Sequence, residues 1–316
     1  MLRKILALGL IVALSLSVWP VQARPLASVL DIGAGVRAVS MGEAFTGLAD
    51  DEYALFYNPA GLATLTGGRA SLLYQTHFGA STYLSAYGSF GNLGAGLTFF
   101  SFGQVPCLTS ANQPCKDAQG KTISSFGYSN LALVAGWGAP MKSLPFLSAL
   151  PEGLALGLRL KFISISSLDP TTFQSLTITG IVLDPSFLWA LGKLGPVERV
   201  RVGLVLENLL GLALGASEGE GFPIGLRLGL SASPLGLVTL NTDFSLADGF
   251  HLGAEYTLRD LGPLSALSLR TGLLTRTGLG ISVGLGVLFA GIQIDYALFL
   301  HPDLGGSHWL SASYRF

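Results

Sequence analysis

Apolar and small polar residues alternate along most of the chain. From Leu279 to Val287, every odd-numbered position is Leu, Ile or Val, and every even-numbered position is Gly or Ser. Successive side chains of a strand point to opposite faces, whereas a helix would scatter both classes around its surface. The alternation returns within residues 154–162, 199–207, 224–231, 251–258 and 292–296. The pattern predicts β-strands with one apolar face and one small, polar face.

Turn signals divide the chain into fourteen predicted strands. They are residues 69–78, 81–90, 92–102, 125–138, 152–166, 176–190, 198–208, 222–233, 237–247, 250–258, 264–273, 278–288, 290–299 and 306–316. An even strand number is typical of bacterial outer-membrane barrels, and strands in lipid must close because their backbone groups find no water. The predicted fold is an all-β, 14-stranded antiparallel transmembrane β-barrel with an N-terminal hatch.

The lengths of the predicted links also alternate. The long polar links 103–124, 167–175 and 209–221 all follow odd-numbered strands, which predicts that they lie on one side of the membrane. Outer-membrane barrels have long loops outside the cell and short turns in the periplasm. The link 139–151 is an exception, because it is long but follows an even-numbered strand.

Charged residues fall on the polar face of the predicted strands, which is expected to line the lumen. They are Arg159, Lys161, Arg199, Arg201, Glu207, Arg227, Asp243, Glu255, Arg270 and Asp295. One interpretation is a polar pathway, or a docking patch for the carboxylate of an amphiphile. The other is mutual neutralisation, because buried charges need partners.

Composition supports a protein that lies partly in lipid. The 316 residues include 42 Gly, 50% are hydrophobic, and only 12% are charged, about half the proportion of a soluble domain. The mean hydropathy is +0.56. These values exclude disorder and an ordinary cytosolic enzyme. A net charge of −1 provides no basic field for nucleic acid.

Both ends of the chain carry targeting signals. Arg3 and Lys4 precede an uncharged run from Ile5 to Val18, and Val21-Gln22-Ala23 has the form of a cleavage site. Residues 1–23 are therefore predicted to be a signal peptide that is removed after Ala23. Tyr314 and Phe316 share the apolar face of the last predicted strand. An amphipathic strand with an aromatic end resembles the signal that the barrel-assembly machinery of the outer membrane reads.

The chain has two cysteines, Cys107 and Cys115, in a polar link. In an oxidising compartment, this spacing favours a disulfide that closes a short loop. Free thiols are the alternative. A metal site is not expected, because the link contains no His and Asp117 is its only carboxylate. No cofactor is predicted.

Residues 24–68 lack the alternation and contain turn signals, which predicts a hatch inside the lumen. Its motif residues are Arg37, Met41, Gly42, Asp50, Asp51, Asn58, Pro59, Ala60 and Gly61. Asp50 and Asp51 either contribute to an incomplete Ca²⁺ shell or cap a hatch turn. The Asn58-Pro59 turn either gates the lumen or is structural. Residues 69–316 are predicted to form the barrel.

These hatch motifs, in this order, resemble the N-terminal signature of the PorV/PorQ proteins, within the wider FadL-like group of outer-membrane barrels. The resemblance continues through 206–208, 223–229, 269–272, 294–297 and 304–308 to the terminal Tyr314-Arg315-Phe316. It implies a fourteen-stranded barrel with an N-terminal hatch.

The resemblance implies two functions. FadL-like proteins pass fatty acids and other hydrophobic molecules across the outer membrane, through a hatch and an opening in the wall. PorV-like proteins serve type IX secretion, where they hold exported proteins or link parts of the system. The outer links here are short for a hydrophobic collection site, so no fatty-acid-binding residue is carried over. The expected partners are therefore outer-membrane lipid and either a hydrophobic ligand or secretion proteins.

An enzyme is not expected. The histidines His77, His251, His301 and His308 include no metal-spaced pair and no partner of a nucleophile elbow. The interfacial aromatic girdles are predicted to include Trp137, Trp189 and Trp309.

Overall fold

The computed structural model describes residues 24–25, 28–77, 81–109, 112–116, 119–123, 125–168, 175–217, 220–234, 236, 238–276, 278–302 and 305–316. The predicted signal peptide lies outside these residues.

Strands that alternate between apolar and small residues form a closed antiparallel barrel, which confirms the predicted fold. The wall strands β1 to β14 are, in order, Gly68–His77, Ser81–Phe90, Leu93–Pro106, Ser125–Pro140, Leu154–Leu168, Ser175–Leu194, Val197–Glu207, Gly225–Pro234, Val238–Ser245, Gly249–Leu261, Leu264–Leu274, Gly280–Phe289, Ile292–His301 and Gly305–Arg315. Each strand pairs with the next, and β14 pairs with β1 from Arg315↔Arg69 to His308↔Thr76.

The wall has two ends with different links. At the short-link end, Phe316 and Gly68 exchange backbone hydrogen bonds of 3.0 and 2.8 Å, and the even-numbered strands turn. The long-link end holds the links that follow the odd-numbered strands. The link between β4 and β5 is long although it lies at the short-link end, and it contains the 3₁₀ turns Met141–Ser143 and Pro145–Leu147.

The two faces of the wall differ in chemistry. On β11 and β12, the outward Leu269 and Ile281 are 49% and 41% exposed, while the inward Arg270 and Ser282 are 5% and 1% exposed. The outward face is apolar around the barrel, as in barrels that contact lipid. No helix within the described residues is long and apolar enough to cross a membrane.

Strand β7 is interrupted, and this interruption opens a break in the wall. After Glu207, Asn208 takes a positive φ of 57°, and the chain resumes pairing with β6 over Leu210–Leu214. On its other side, β7 pairs with β8 up to Glu207↔Gly225. Among the described residues, Leu210–Leu214 therefore has one strand neighbour. The break lies at the long-link end.

Arg199 lies in a bulge with a φ of 53° and is exposed at the short-link end, where it lines the same cavity as Arg201. One expectation for an individual residue is wrong. Trp309 was expected in a girdle, but it faces inward and is 2% exposed, because it shares the lumen face with Ser307 and Ser311. Trp189 is 39% exposed on the outward face.

Residues 28–67 form a hatch of short helices and turns. A 3₁₀ helix at Val29–Ile32 is followed by α1 (Val36–Val39), α2 (Ala54–Tyr57) and a 3₁₀ helix at Pro59–Thr64. Ser28 begins the first helix as a capping box with Asp31. Among the hatch side chains, Met41, Phe45, Leu55 and Leu62 are fully buried. Strands too short to span the wall pair Arg24–Pro25 with Glu220–Gly221 and Cys115–Lys116 with Thr122–Ile123.

The structure joins Cys107 and Cys115 by a disulfide in the link after β3. The bond joins two positions eight residues apart at the long-link end, and both cysteines are buried. A short cross-link of this kind limits the unfolded conformations of the loop.

Candidate functional site

The hatch and the barrel wall approach each other at inward-facing glycines. A Cβ atom at Gly272 would overlap the backbone of Gly42, one at Gly203 would overlap the carbonyl of Thr46, and one at Gly157 would overlap the backbone of Ala60. Cβ atoms at Gly138, Gly229 and Gly253 would also overlap hatch backbone, and one at Gly284 would overlap the side chain of Ser40. Glycine is therefore required on the lumen face, because the two backbones are separated by less than a side chain.

A network of ion pairs holds the short-link side of the hatch. Arg37 of α1 contacts Asp50 at 2.5 Å and Asp51 at 3.0 Å, both within the hatch. It also makes two 2.8 Å hydrogen bonds with the wall residue Glu255. The wall residue Arg270 contacts Glu255 at 2.7 Å and Asp295 at 2.6 Å. We call these residues (Arg37, Asp50, Asp51, Glu255, Arg270 and Asp295) the Arg37 network.

The two hatch aspartates are used as ion-pair partners and as a cap. Asp51 Oδ1 accepts a 2.9 Å hydrogen bond from the backbone of Tyr53, directly before α2. No group of ligands suited to a metal ion occurs among the described residues. The ion pairs with Arg37 and the hydrogen bond from Tyr53 are the contacts that the capping interpretation of this pair expects.

Arginines of the wall and its links donate to backbone carbonyls of the hatch. The donor and carbonyl pairs are Arg69 with Asp50, Arg159 with Phe56, Arg201 with Leu48, Arg227 with Glu43, and Arg276 with Asp31. Guanidinium groups satisfy carbonyls that the short hatch helices leave unpaired. The lumen charges thus fasten the hatch as well as neutralise one another.

A second ionic centre lies between β5 and β6. Asp184, which is fully buried, contacts Arg159 at 2.5 Å and Lys161 at 2.8 Å. Its other oxygen accepts a 2.7 Å bond from the backbone of Asn208, and Lys161 also donates to the Asn208 side chain. Asp184 therefore fixes the interruption in β7 where the wall break begins. The sequence interpretation missed Asp184, although two adjacent inward cations required an acidic partner.

A third centre joins the wall to the middle of the hatch. Asp243 Oδ2 accepts hydrogen bonds from the backbone of Phe45 at 3.1 Å and of Thr46 at 2.9 Å. Arg227 lies 3.1 Å from the same oxygen. Glu207, at the end of β7, packs beside Gly225 where the pairing with β8 stops.

Asn58 connects three segments of the protein. Its side chain accepts a 3.1 Å bond from Ala60 and donates to the carbonyls of Thr46, in the hatch, and Phe187, on β6, at 2.9 and 3.0 Å. Pro59 occupies the first turn of the following 3₁₀ helix. Gly61 packs against Ala49, where a Cβ would overlap the carbonyl. The Asn58-Pro59 turn is therefore held rigidly on both sides.

Met41 and Gly42 take part in the same docking of the hatch against the wall.
Met41 is fully buried, and Gly42 has a positive φ of 63°. The backbone of Gly42 donates to Ser282 at 3.0 Å, and its carbonyl lies 2.7 Å from His251 Nδ1. Both contacts tie the turn after α1 to the wall.

The lumen is apolar at the long-link end. Hatch residues Val29, Val36 and Val39 pack there with inward side chains of the wall, which are Leu73, Tyr83, Ala132, Ile163, Ile165, Ile178, Val182, Ala297 and Trp309. We call these wall residues the apolar lining. Tyr83 donates a 2.5 Å hydrogen bond to the carbonyl of Gly33, and its ring lies 5.5 Å from that of Trp309. The hatch fills this part of the barrel.

The wall break lies beside the apolar lining. Phe222, in the segment between Leu214 and β8, packs with the lining and covers Gly180 of β6. Asn208 donates a 2.8 Å bond to the carbonyl of Pro223 and so holds this segment across the break. The apolar lining therefore lies next to the wall break, and the segment that contains Phe222 and Pro223 covers this break.

Burial of Glu52 is expected to make docking of the hatch dependent on pH. Burial raises the pKa of Glu52 to about 7, and the nearby carboxylate of Asp51 adds to this rise. In a released hatch the pKa returns to 4.5, so the docked form binds more protons between these values. Docking therefore weakens as the pH rises from 4.5 through 7.

We expect Glu52→Gln to weaken this dependence, because the amide carries no charge. Hydrogen exchange of the hatch amides, corrected for intrinsic rates, should show protection that falls more steeply between about pH 5 and about pH 8 in the wild type than in the variant. Glu152→Gln is the control, since the Glu152 side chain is 83% exposed. Equal pH dependence in wild type and Glu52→Gln would contradict the prediction.

Together these contacts define a transmembrane β-barrel with a hatch docked in its lumen. No model of a known protein family matches the chain, and no curated protein matches its sequence. Among solved structures, the chain is similar to a FadL homologue of Pseudomonas aeruginosa, with 10% identity over 88% of this chain and 97% of that chain and a TM-score of 0.49. It is also similar to the toluene transporter TodX of P. putida, with 10% identity, 84% and 94% coverage and a TM-score of 0.48. The comparison with CdiB from Acinetobacter baumannii gives 9% identity, 80% and 60% coverage and a TM-score of 0.39.

Proposed function

We propose that this protein resides in the bacterial outer membrane and transports small hydrophobic molecules through its barrel. The apolar lining is the observation that carries the proposal, because a water-filled porin has a polar interior. In this arrangement the long-link end faces outward and the short-link end faces the periplasm. The predicted signal peptide and the terminal Tyr314 and Phe316 support export and assembly in that membrane.

The apolar lining suits a hydrophobic ligand for a simple energetic reason. Each methylene transferred from water to an apolar surface contributes about 0.8 kcal/mol. Aromatic side chains such as Tyr83 and Trp309 add broad, rigid contact surfaces. The wall break beside the lining gives a lateral route between lumen and lipid, which a hydrophobic molecule can follow without entering water.

Transport requires the first part of the hatch to move, because Val29, Val36 and Val39 occupy the lining. Arg276 and Tyr83 both fasten this part of the hatch. Arg276 contacts Glu43 at 2.7 Å and Asp248 at 2.9 Å and donates to the carbonyl of Asp31, while Tyr83 donates to the carbonyl of Gly33. Movement of residues 28–33 would require release of both contacts, while the Arg37 network holds the rest of the hatch.

Uptake by whole cells tests the proposal. We expect cells that produce the protein to take up radiolabelled naphthalene or oleate faster than cells that lack it. Replacing Ile163 and Ile178 together by Gln should lower this rate about tenfold, because an unpaired amide in an apolar path costs about 1–3 kcal/mol. Ser164→Gln, next to Ile163 in β5 but on the outward face, is the matched control and should keep the wild-type rate.

Equal uptake by producing and non-producing cells would contradict transport. The same result would favour the second candidate function, a scaffold of a type IX-like secretion system similar to PorV/PorQ proteins. The many fastenings of the hatch favour that alternative, because a scaffold needs no mobile plug. Its own readout is the retention of exported proteins in the periplasm after deletion of the gene, with hydrophobic uptake unchanged.

A further inference from the structure

A cavity of about 400 Å³ opens below the hatch at the short-link end. Its roof is formed by the hatch residues Arg37, Leu48 and Asp50. Its walls are formed by the short-link ends of β7 to β10 and by the turn at Gly236. The wall residues are Glu198, Arg199, Arg201, Ser231, Ser233, Thr239, Glu255, Thr257 and Arg259. The volume is within the range of small-molecule sites. The apolar lining lies at the other end of the barrel, so this is a separate site.

The acidic groups that face the cavity already have basic partners. Asp50 contacts Arg37 at 2.5 Å, and Glu255 contacts both Arg37 and Arg270. Glu198 lies 3.3 Å from Lys193, which is outside the cavity. The cavity lining contains four arginines, Arg37, Arg199, Arg201 and Arg259, against these three carboxylates.

The arginines of the cavity walls lack such partners. Within the part of the chain that the structure describes, Arg199, Arg201 and Arg259 have no carboxylate at salt-bridge distance. Arg201 donates one 2.8 Å bond to the carbonyl of Leu48, which leaves its charge uncompensated. Positive charge in excess thus surrounds a space that is partly enclosed by protein, where screening by salt is weaker than at an open surface.

The lining chemistry identifies the kind of ligand. Guanidinium groups present planar pairs of donors that match carboxylate and phosphate oxygens. Hydroxyl groups of Ser231, Ser233, Thr239 and Thr257 add polar atoms, while Leu48 is the apolar contribution. A long hydrocarbon tail would find little apolar contact here, but a small anionic group would find several donors.

We propose that this cavity binds the anionic group, carboxylate or phosphate, of a small molecule at the short-link end of the barrel. The ligand is either a free small anion or the headgroup of an amphiphile, and both share this chemistry. The site does not require the proposed transport function, since its residues and charges stand apart from the apolar lining. An occupant would contact the hatch directly through the roof residues.

Calorimetric titration of the detergent-purified protein tests the site with inorganic phosphate, succinate and octanoate as probes. The double variant Arg199→Gln/Arg259→Gln is chosen because neither side chain makes a hydrogen bond or ion pair among the described residues. We expect it to weaken binding at least about tenfold, since charge-assisted hydrogen bonds are lost. Lys142→Gln removes a cation from an exposed ion pair at the same end and should leave binding unchanged.

The probes separate the two sources of the anion. Binding of phosphate or succinate that the double variant weakens supports a free anion, and variant-sensitive binding of octanoate alone supports an amphiphile headgroup. Absence of binding for all three probes, or equal affinity in wild type and double variant, overturns the proposal. Hydrophobic uptake is measured separately, so failure of the anion site and failure of transport give different results.

Discussion

Replacing Gly272 by valine is expected to expel the hatch from its seat while the fourteen-stranded wall stays closed. A Cβ at this position would overlap the backbone of Gly42, and both backbones are held in place by hydrogen bonds. A flexible side chain could move aside, but two backbone segments cannot. Overpacking typically costs about 1–3 kcal/mol even where side chains can adjust, so the effect here should reach or exceed that range.

Hydrogen exchange and ion conductance measure this result. Loss of docking by about 3 kcal/mol corresponds to at least a hundredfold loss of protection in the hatch amides. The emptied lumen should also conduct ions in planar bilayers. Gly103→Val is the matched control, because a Cβ at Gly103 meets no atom within 4 Å. Heat-shifted gel mobility reports the intact wall, and a Gly272→Val variant with native protection would show that the hatch backbone can shift.

The fold could be predicted because each wall strand separates two environments. Leu228 faces outward and Arg227 faces the lumen, so the chemistry of adjacent residues indicates which face of the strand each one occupies. The hatch was visible as the region where this alternation stops. The abundance of glycine has a matching cause, since Gly157, Gly203 and Gly272 leave room for hatch backbone on the lumen face.

The details that the sequence interpretation missed have separate causes. A single bulge at Arg199 shifts the register between Glu198 and Arg201, and the alternation does not encode it. Trp309 was assigned to a girdle by residue class, although its position in the alternation places it inside. Asp184 was overlooked because the sequence interpretation predicted its strand but assigned no acidic partner to Arg159 and Lys161.

The apolar lining was missed because its alternation has the opposite sense. In β5, Arg159 and Lys161 point inward at mid-barrel, but Ile163 and Ile165 point inward nearer the long-link end, with Ser164 and Ser166 on the other face. The strand keeps its register and changes only its chemistry. The serines on the outward face accompany this change of chemistry, and this signal was available in the sequence. The pairing of Arg37 with Glu255 could not be predicted from the sequence, because the two residues lie 218 positions apart.

Removal of the Arg37 side chain should release the hatch by a different route from overpacking. Arg37→Leu would leave Asp50, Asp51 and Glu255 together without their shared cation, and the Arg37 side chain is only 15% exposed. Removing one partner of a buried ion pair typically costs about 3–5 kcal/mol, because the remaining charges stay desolvated. We expect a hundredfold or greater loss of hatch protection in hydrogen exchange, with the wall intact.

Partial rescue separates this electrostatic effect from a loss of packing. Adding Glu255→Gln to Arg37→Leu removes one uncompensated charge, although it also takes a partner from Arg270, which keeps Asp295. The double variant should therefore recover part of the hatch protection. Lys142→Leu, which breaks an exposed ion pair, should change stability by less than about 1 kcal/mol. If Arg37→Leu behaved like this control, the Arg37 network would not be what holds the hatch, and the backbone contacts at Gly157, Gly203 and Gly272 would account for its docking.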